Sequence, residues 1–274
     1  MQFSVLMSVY KNEKAEYLDL ALHSMVEQTL MPNEIVVVED GLLTEELSSC
    51  IDKYEKGYPG LFRRIAFKEN RGLGLALRDG VLACRYDYIA RMDTDDIAVP
   101  ERFARQFAYL EKHQEVALLG TWIKEFSSNP AHPDTVTNLP VTHEEIIQYA
   151  KKRNPFRHMT VVYKKVAVID SGNYQDFLWF EDYDLWVRML QKGYVAANLP
   201  EYLVNVRAGD EMFARRGGWK YLKQELRFQK YLREIGFISF VDYISNVCIR
   251  SLMRLLPDWL RKVLYKNCLR KMVK

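Results

Sequence analysis

Two kinds of apolar pattern alternate along the first 120 residues. Short, continuous apolar runs fall at residues 3–9, 34–38 (EIVVV), 63–67, 87–92 (DYIARM) and 116–119 (VALL). Between them, apolar residues recur every three or four positions. Residues 16–28 carry Leu18, Ala21, Leu22, Met25 and Val26 on one face, and residues 44–54 and 73–83 follow the same rule. A further stretch opens at Pro100, a good first-turn residue, and carries Phe103, Phe107 and Leu110. Runs without alternation are strands buried on both faces, and the helical period marks the segments that cover them. The succession predicts an α/β fold around a mostly parallel central sheet. Ligands of such sheets sit at the carboxyl ends of the strands, so the residues just after each run are the first candidates for chemistry.

After Gly120 the rhythm changes. Residues 127–140 are rich in Ser, Asn, Pro and Thr and read as a surface loop. Thr142 and Glu145 stand at capping-box spacing before a short helix over 142–150. A strand over 160–163, a helix over 184–191, mixed strand over 194–206 and a longer helix over 219–235 follow. The chain therefore divides into a main domain, residues 1–218, and a helical extension, residues 219–274.

Apolar residues make up 49% and charged residues 27%, the balance of an ordinary globular protein rather than a disordered or multi-span membrane chain. No uninterrupted apolar run approaches the ~18 residues of a membrane span, and the start MQFSVLMSVYKNE lacks the features of a signal peptide. The four cysteines form no CxxC pair and read as free thiols of a reducing cytosol. The net charge of +3 is unevenly spread: eight basic and two acidic residues between 242 and 274 give that segment +6, leaving −3 on the first 241 residues. An acidic body offers no broad basic face, which argues against nucleic acid as a partner. The tail is different. Phe240, Val241, Ile244, Val247, Cys248, Leu252 and Leu255 lie near helical spacing, and after Pro257 a second pattern sets Trp259, Leu260, Val263 and Leu264 against Lys262, Lys266, Arg270 and Lys274. A basic amphipathic helix of this kind either packs on its own domain or lies on an anionic membrane surface. Residues 237–274 are expected to do the latter, on the inner face of a cell membrane; the same helices also offer a surface for self-association.

Three polar clusters follow the strands or open helices. The fourth run ends in Asp93-Thr94-Asp95-Asp96. Carboxylates so close repel one another, and either cap a helix in solvent or hold a cation. An oxygen-only set suits Mg²⁺ or Mn²⁺, with substrate phosphates completing the shell. Asn70-Arg71-Gly72-Leu73-Gly74 opens a helix whose N-terminus favours an anion. Leu77 stands where a dinucleotide fingerprint needs its third glycine, so a nicotinamide cofactor is disfavoured. Trp179-Phe180-Glu181-Asp182-Tyr183-Asp184 sets adjacent acids among aromatics, either as a helix cap or as a desolvated general base beside a sugar-stacking surface.

Taken in order, VLMSVYKNE, EIVVVEDG, NRGLGLALRDG, RMDTDDI, NPFRHMTVVYKK and WFEDYDLWVRML resemble glycosyltransferase family 2, whose members have the GT-A nucleotide-sugar fold. The later RAGDEMFARRGGWKY is similar to the subgroup that builds bacterial capsule, exopolysaccharide and lipopolysaccharide side chains. The resemblance implies an inverting, metal-dependent transfer of a hexose from a nucleotide-diphosphate sugar, most simply UDP-linked, to a saccharide acceptor carried on a lipid diphosphate. It implies that Ser8, Val9, Tyr10 and Glu13 line the nucleotide pocket, that Asp40 accepts from the base, and that Arg71 and Gly72 lie near the nucleotide. Asp93 and Thr94 would stand on the ribose side, Asp95 would ligate Mn²⁺ or Mg²⁺ with Asp96 assisting, and Asp182 would be the base, with Glu181 the alternative. His158 and Trp179 would belong to the acceptor side. Where many relatives place a further histidine ligand this chain has Arg207, which with Arg215 and Arg216 would hold diphosphate charge. The competing readings are a nucleotidylyltransferase, whose Gly-rich basic first loop is replaced here by YKNEKAEY, and a non-catalytic sugar-binding module, which would not need the metal carboxylates.

Overall fold

The computed structural model describes residues 1–208, 218–256 and 271–272. Arg215, Arg216 and the second basic pattern beyond Pro257 lie outside the described residues, apart from the short pair 271–272.

The first half of the chain winds β1 (Phe3–Val9), α1 (Ala15–Val26), β2 (Glu34–Glu39), α2 (Glu45–Gly57), β3 (Phe62–Ala66), α3 (Leu73–Ala83) and β4 (Tyr88–Arg91). β1 lies between β2 and β4 and β3 lies outside β2, all parallel. Alternation along β1 explains the layers. Phe3, Val5, Met7 and Val9 point into one core with α1, α2 and the helix α4 (Arg102–Lys112). Leu6, with Val36 and Val38 of β2, points into the other, against Ala76, Leu77 and Val81 of α3. Both faces are covered, which is why these strands read as continuous apolar runs.

Beyond β4 the sheet turns antiparallel. β8 (Val162–Lys164) pairs with β4 and with β6 (Val116–Phe126), and β6 also pairs with β7 (Thr135–Thr137). β9 (Val195–Arg207) runs parallel to β6 through several register shifts, and its far end pairs with the two-residue β5 (Ile97–Ala98). Lys271 and Met272 add a short strand, β10, to β7. The sheet is thus parallel where the strand ends carry the polar clusters and mixed beyond them. The expected surface loop over 127–140 contains β7, whose Thr135 and Thr137 are buried. Thr135 Oγ1 donates to Glu125 Oε2 at 2.7 Å, so two polar side chains satisfy each other inside the sheet.

α5 (His143–Ala150) has the predicted capping box between Thr142 and Glu145. A 3₁₀ turn at His158–Thr160, α6 (Lys165–Asp170) and α7 (Glu181–Gln191) lead back to β9. The extension is a helical pair, α8 (Gly218–Glu234) and α9 (Phe240–Leu255). α8 packs on α7 through Phe180, Tyr183, Val187, Tyr221, Phe228 and Leu232.

Candidate active site

The acidic turn after β4 rests on two buried arginines. Arg91, 1% exposed, donates to the carbonyls of Leu6 and Met92 and reaches Asp93 Oδ1 at 2.5 Å. Arg102 comes from α4, donates to the Arg91 carbonyl at 2.7 Å and to Gln106 Oε1 at 3.1 Å, and is fully buried. Burial pulls it down to about 9, so it keeps its charge at neutral pH. Above them, Asp93, Asp95 and Asp96 offer oxygens that all lie within 4.8 Å of one another. Burial, then the charges of Asp95 and Asp93, hold the Asp96 carboxyl well above the usual range. Three carboxyl groups this close, one of them kept from ionising by burial and its neighbours, fit a hard divalent cation with oxygen donors. Thr94 is buried in the same turn.

Arg207 clamps this turn to β9. Its backbone N–H donates to Asp96 Oδ1 at 2.8 Å and its Nε to the Asp95 carbonyl at 3.3 Å. Its guanidinium lies 3.8 Å from the centroid of Tyr17 and 4.8 Å from that of Phe126, stacked between aromatics. An arginine here already carries positive charge against the acidic turn.

Asp40, just past β2, organises the loop that opens α3. Its Oδ1 accepts from Arg71 N at 2.7 Å, and its Oδ2 from Gly72 N and Asn70 Nδ2, both at 3.0 Å. Three of a carboxylate's roughly four acceptor sites are thereby used, leaving one direction for a ligand. Gly72 has φ +87°, a left-handed conformation that glycine adopts without strain, and it precedes α3. Arg71 stacks on Phe67 and pairs with Asp79 at 2.8 Å. At the end of β1, Ser8, Tyr10 and Glu13 are partly exposed, whereas Val9 is buried and its carbonyl accepts from Asp40 N at 2.8 Å. The Val9 side chain therefore belongs to the core rather than to the surface of the strand end.

Glu181 and Asp182 form the first turn of α7, three residues earlier than the sequence pattern places that helix. Burial, then Asp182, and to a smaller extent Asp93, push Glu181 up to about 8. Burial outweighs the helix N-terminus, which by itself would favour the anion. Asp182 accepts from Asn154 Nδ2 at 2.7 Å and from Tyr183 N at 2.6 Å. Trp179, just before the turn, has φ +67°, an outlier for a bulky residue, and stacks on Tyr221 of α8 at 5.1 Å.

Asp93 lies within electrostatic reach of Glu181, so the DTDD turn and the α7 acids are neighbours. Gly74 lets α3 pack against the start of α7: a Cβ there would come within 2.5 Å of the Gln175 carbonyl and 3.2 Å of Glu181 Cβ. His158 lies behind the site, its Nε2 2.9 Å from Tyr174 Oη and its ring edge-on to Trp186. Burial, then Arg91, holds it well below the usual histidine range, so it is neutral. Sequence reasoning named Asn70 only as part of the loop before α3, and gave no role to Arg91, Arg102 or Asn154. An arginine inside the strand run DYIARM was the one local signal of these three.

The family model of glycosyl transferase family 2 matches residues 4–173, well over half of the chain. The chain belongs to glycosyltransferase family 2. The matched span includes the DTDD turn and stops short of α7. This glycosyltransferase is 41% identical to the amylovoran biosynthesis glycosyltransferase AmsE of Erwinia amylovora, over 97% of this chain and 98% of the other. It is 34% identical to the UDP-Gal:alpha-D-GlcNAc-diphosphoundecaprenol beta-1,3-galactosyltransferase of Escherichia coli, over 98% and 97% of the two chains. Its fold is similar to that of the mannosyltransferase PcManGT from Pyrobaculum calidifontis, solved in complex with GDP-Man and Mn²⁺, with a TM-score of 0.65 at 15% identity over 95% of this chain and 72% of that one. Family-2 members and their solved neighbours are GT-A enzymes, so the expected fold class holds for this transferase, with the C-terminal helices added.

Proposed function

We propose that this glycosyltransferase moves a hexose with inversion from a UDP-linked donor to a saccharide carried on a lipid diphosphate, in the synthesis of a surface polysaccharide. The observation that supports the reading is that the DTDD turn lies within electrostatic reach of the α7 acids; the Asp40 loop is assigned to the donor side. The galactosyltransferase relative, whose name gives both a UDP sugar and a diphosphate-lipid acceptor, supports the donor and acceptor classes.

Asp182 takes the proton of the acceptor hydroxyl. The acceptor oxygen forms its bond to the anomeric carbon as the bond to the diphosphate oxygen breaks, and that electron pair leaves with the nucleoside diphosphate. Glu181, held protonated near neutrality by its burial, donates a hydrogen bond instead of competing for the proton. Asp95 and Asp96, with Asp93 beside Arg91, would hold a divalent ion, which when bound supplies Lewis-acid stabilisation of charge on the leaving diphosphate. Arg207, stacked and fixed, adds positive charge on the same side. Ser8, the Val9 backbone, Tyr10, Glu13, Asp40, Arg71 and Gly72 receive the nucleotide, with Asp93 and Thr94 on its ribose side. Trp179 and His158 belong to the acceptor side, the first as an apolar platform, the second as a neutral support behind it.

The same reading sets the protein on the inner face of the cell membrane through residues 237–274, next to a lipid-linked acceptor. No helix among the described residues is long and apolar enough to cross a membrane, and α9 turns apolar side chains outward. The test is nucleoside diphosphate release across a panel of UDP-, GDP- and dTDP-sugars, with Mn²⁺ and a synthetic GlcNAc-diphosphate lipid. Release from a UDP-hexose that depends on acceptor and is abolished by EDTA is expected. Acceptor-independent binding without release would favour the sugar-binding module, and pyrophosphate formation from UTP and a sugar phosphate the nucleotidylyltransferase.

A further inference from the structure

The C-terminal helices hydrogen-bond to the loop whose Asn154 holds the proposed base. The loop after α5 carries Asn154. Its Nδ2 donates to Asp182 Oδ2 at 2.7 Å, while its Oδ1 accepts from Phe156 N at 3.2 Å and so fixes the turn. The last carbonyls of α5 and those just past its end need donors. The carbonyl of Ala150 is met by Tyr183 Oη. Asn246 of α9 donates to the Lys151 carbonyl at 2.8 Å, and Arg250 of α9 donates to the Lys152 carbonyl. Both donors are themselves held from α8: Asn246 by Gln229 Oε1 at 2.9 Å, Arg250 by its ion pair with Glu225. Asn246, Gln229 and Glu225 are all buried.

We propose that Asn154 is a positioning residue for Asp182, and that the polar face of α9 sets its position by capping the loop on which it stands. The inference rests on the reading of Asp182 as base. An amide N–H 2.7 Å from one carboxylate oxygen fixes which oxygen faces the acceptor and favours the ionised form that a base requires. A side chain on α9 would act on chemistry without touching substrate, since a misplacement of ~1 Å at a catalytic group is enough to cost ~10²-fold.

The decisive variant is Asn154→Asp in the full-length enzyme. It keeps the oxygen that accepts from Phe156 N but replaces the donor by a second carboxylate. With UDP-galactose and the GlcNAc-diphosphate lipid, kcat at neutral pH is expected to fall ~10–100-fold with little change in donor KM, and the acidic limb of the pH profile to move up by ~1 unit or more. Asn246→Leu is expected to lower kcat in the same KM-sparing way, and Arg250→Lys, which keeps a charge for Glu225, less so. A second readout needs no substrate. In Asn154→Asp the melting temperature should fall as pH rises and the two carboxylates ionise, and the exchanged pair Asn154→Asp with Asp182→Asn should restore the melting temperature but not turnover. Wild-type kcat and pH profile in Asn154→Asp, or melting temperatures that simply add in the exchange, overturn the positioning role. Wild-type kcat in Asn246→Leu overturns the part given to α9. Absence of turnover in the wild type itself would instead count against the proposed reaction, leaving the melting-temperature exchange to decide whether Asn154 and Asp182 are coupled.

Discussion

The strands of the parallel half and α9 are both apolar-rich segments, yet they bury opposite faces. Phe3, Val5, Leu6, Met7 and Val9 of β1 are all sealed in the two cores. In α9, Val241 is 76%, Leu252 65% and Ile249 58% exposed, while Asn246 is 6% exposed. The first region is held by apolar burial and uses its strand ends to present polar groups. The second is held by a buried polar strip, Asn246 and Arg250 against Gln229 and Glu225, and presents apolar groups. A core driven by transfer from water is tolerant of where exactly its polar neighbours lie, whereas hydrogen-bonded polar contacts fix one register. The α9 face is therefore suited to holding the Asn154 loop in a single place, and the β1 region to carrying the site on a rigid sheet.

The sharpest break in the comparison is made at the site itself. Asp182→Asn keeps the shape and the partner Asn154 but removes the proposed proton acceptor. A general base contributes roughly 10²–10⁴-fold, so kcat should fall by about that factor while donor affinity, measured by calorimetric titration with UDP, stays within about twofold. Turnover near the wild-type rate would move the base role elsewhere, with Glu181 the next candidate.

The largest effect on stability belongs to the other region. Arg250→Met leaves the Glu225 carboxylate, 0% exposed, without its guanidinium. Breaking one side of a buried pair typically costs ~3–5 kcal/mol, and urea unfolding followed by the tryptophans of α7 and α8 should show it. Replacing both partners together, Arg250→Met with Glu225→Leu, should recover most of the loss, because the cost lies in the orphaned charge. Equal losses in the single and double variants would mean that α9 is held by something other than this polar strip.

This contrast also explains what could be read from the sequence. The parallel strands, the DTDD turn, the Asn70–Gly74 loop and the α7 acids were legible because each is a local run at a strand or helix end. Asn154 was not. Its role comes from a partner 28 positions away and from a loop capped by residues 95 and 98 positions further on, and no local pattern encodes that. β7 was hidden in a Ser- and Pro-rich stretch because its stability comes from pairing with β6 and from the Thr135 to Glu125 hydrogen bond, not from an apolar run. The spacing of Phe240, Val241, Ile244 and Leu252 did predict a helix, but periodicity gives a face without saying whether it points in or out. Trp179 at positive φ, next to the acids, is a strain no propensity scale would select.

Glu181 sharpens the comparison through pH. In the folded protein its carboxyl is raised from 4.5 to about 8, chiefly by burial. Below the unfolded value both states hold the proton and this group does not oppose folding. As pH rises from there through about 8, the unfolded chain releases the proton first, so stability falls over that window. Glu181→Gln cannot ionise, and its melting temperature should lack that component of the decline between pH 5 and 8 while matching the wild type at the acidic end. Parallel curves for the two proteins would show that Glu181 ionises freely in the fold. It would then be a second charged carboxylate beside Asp182 rather than a hydrogen-bond donor to it.

The smallest expected effect on folding is the most informative about α9. In β1 an apolar-to-serine change opens a buried core, whereas Ile249→Ser with Leu252→Ser alters side chains already largely in water. Exposed substitutions of this kind usually stay within ~0.5 kcal/mol, so unfolding midpoints should barely move. Binding should move much more. The outward face loses apolar area that an acyl-chain boundary would bury at ~25 cal/mol per Å². Pelleting with vesicles of mixed phosphatidylglycerol and phosphatidylethanolamine should therefore drop severalfold, with raised salt weakening what remains through the basic tail. If the double serine variant pellets like the wild type but sediments as a smaller species, the face joins two copies of the chain instead. If neither changes, the outward apolar strip contributes to neither membrane nor self-association, and the polar strip beneath it, holding the Asn154 loop, is what α9 contributes.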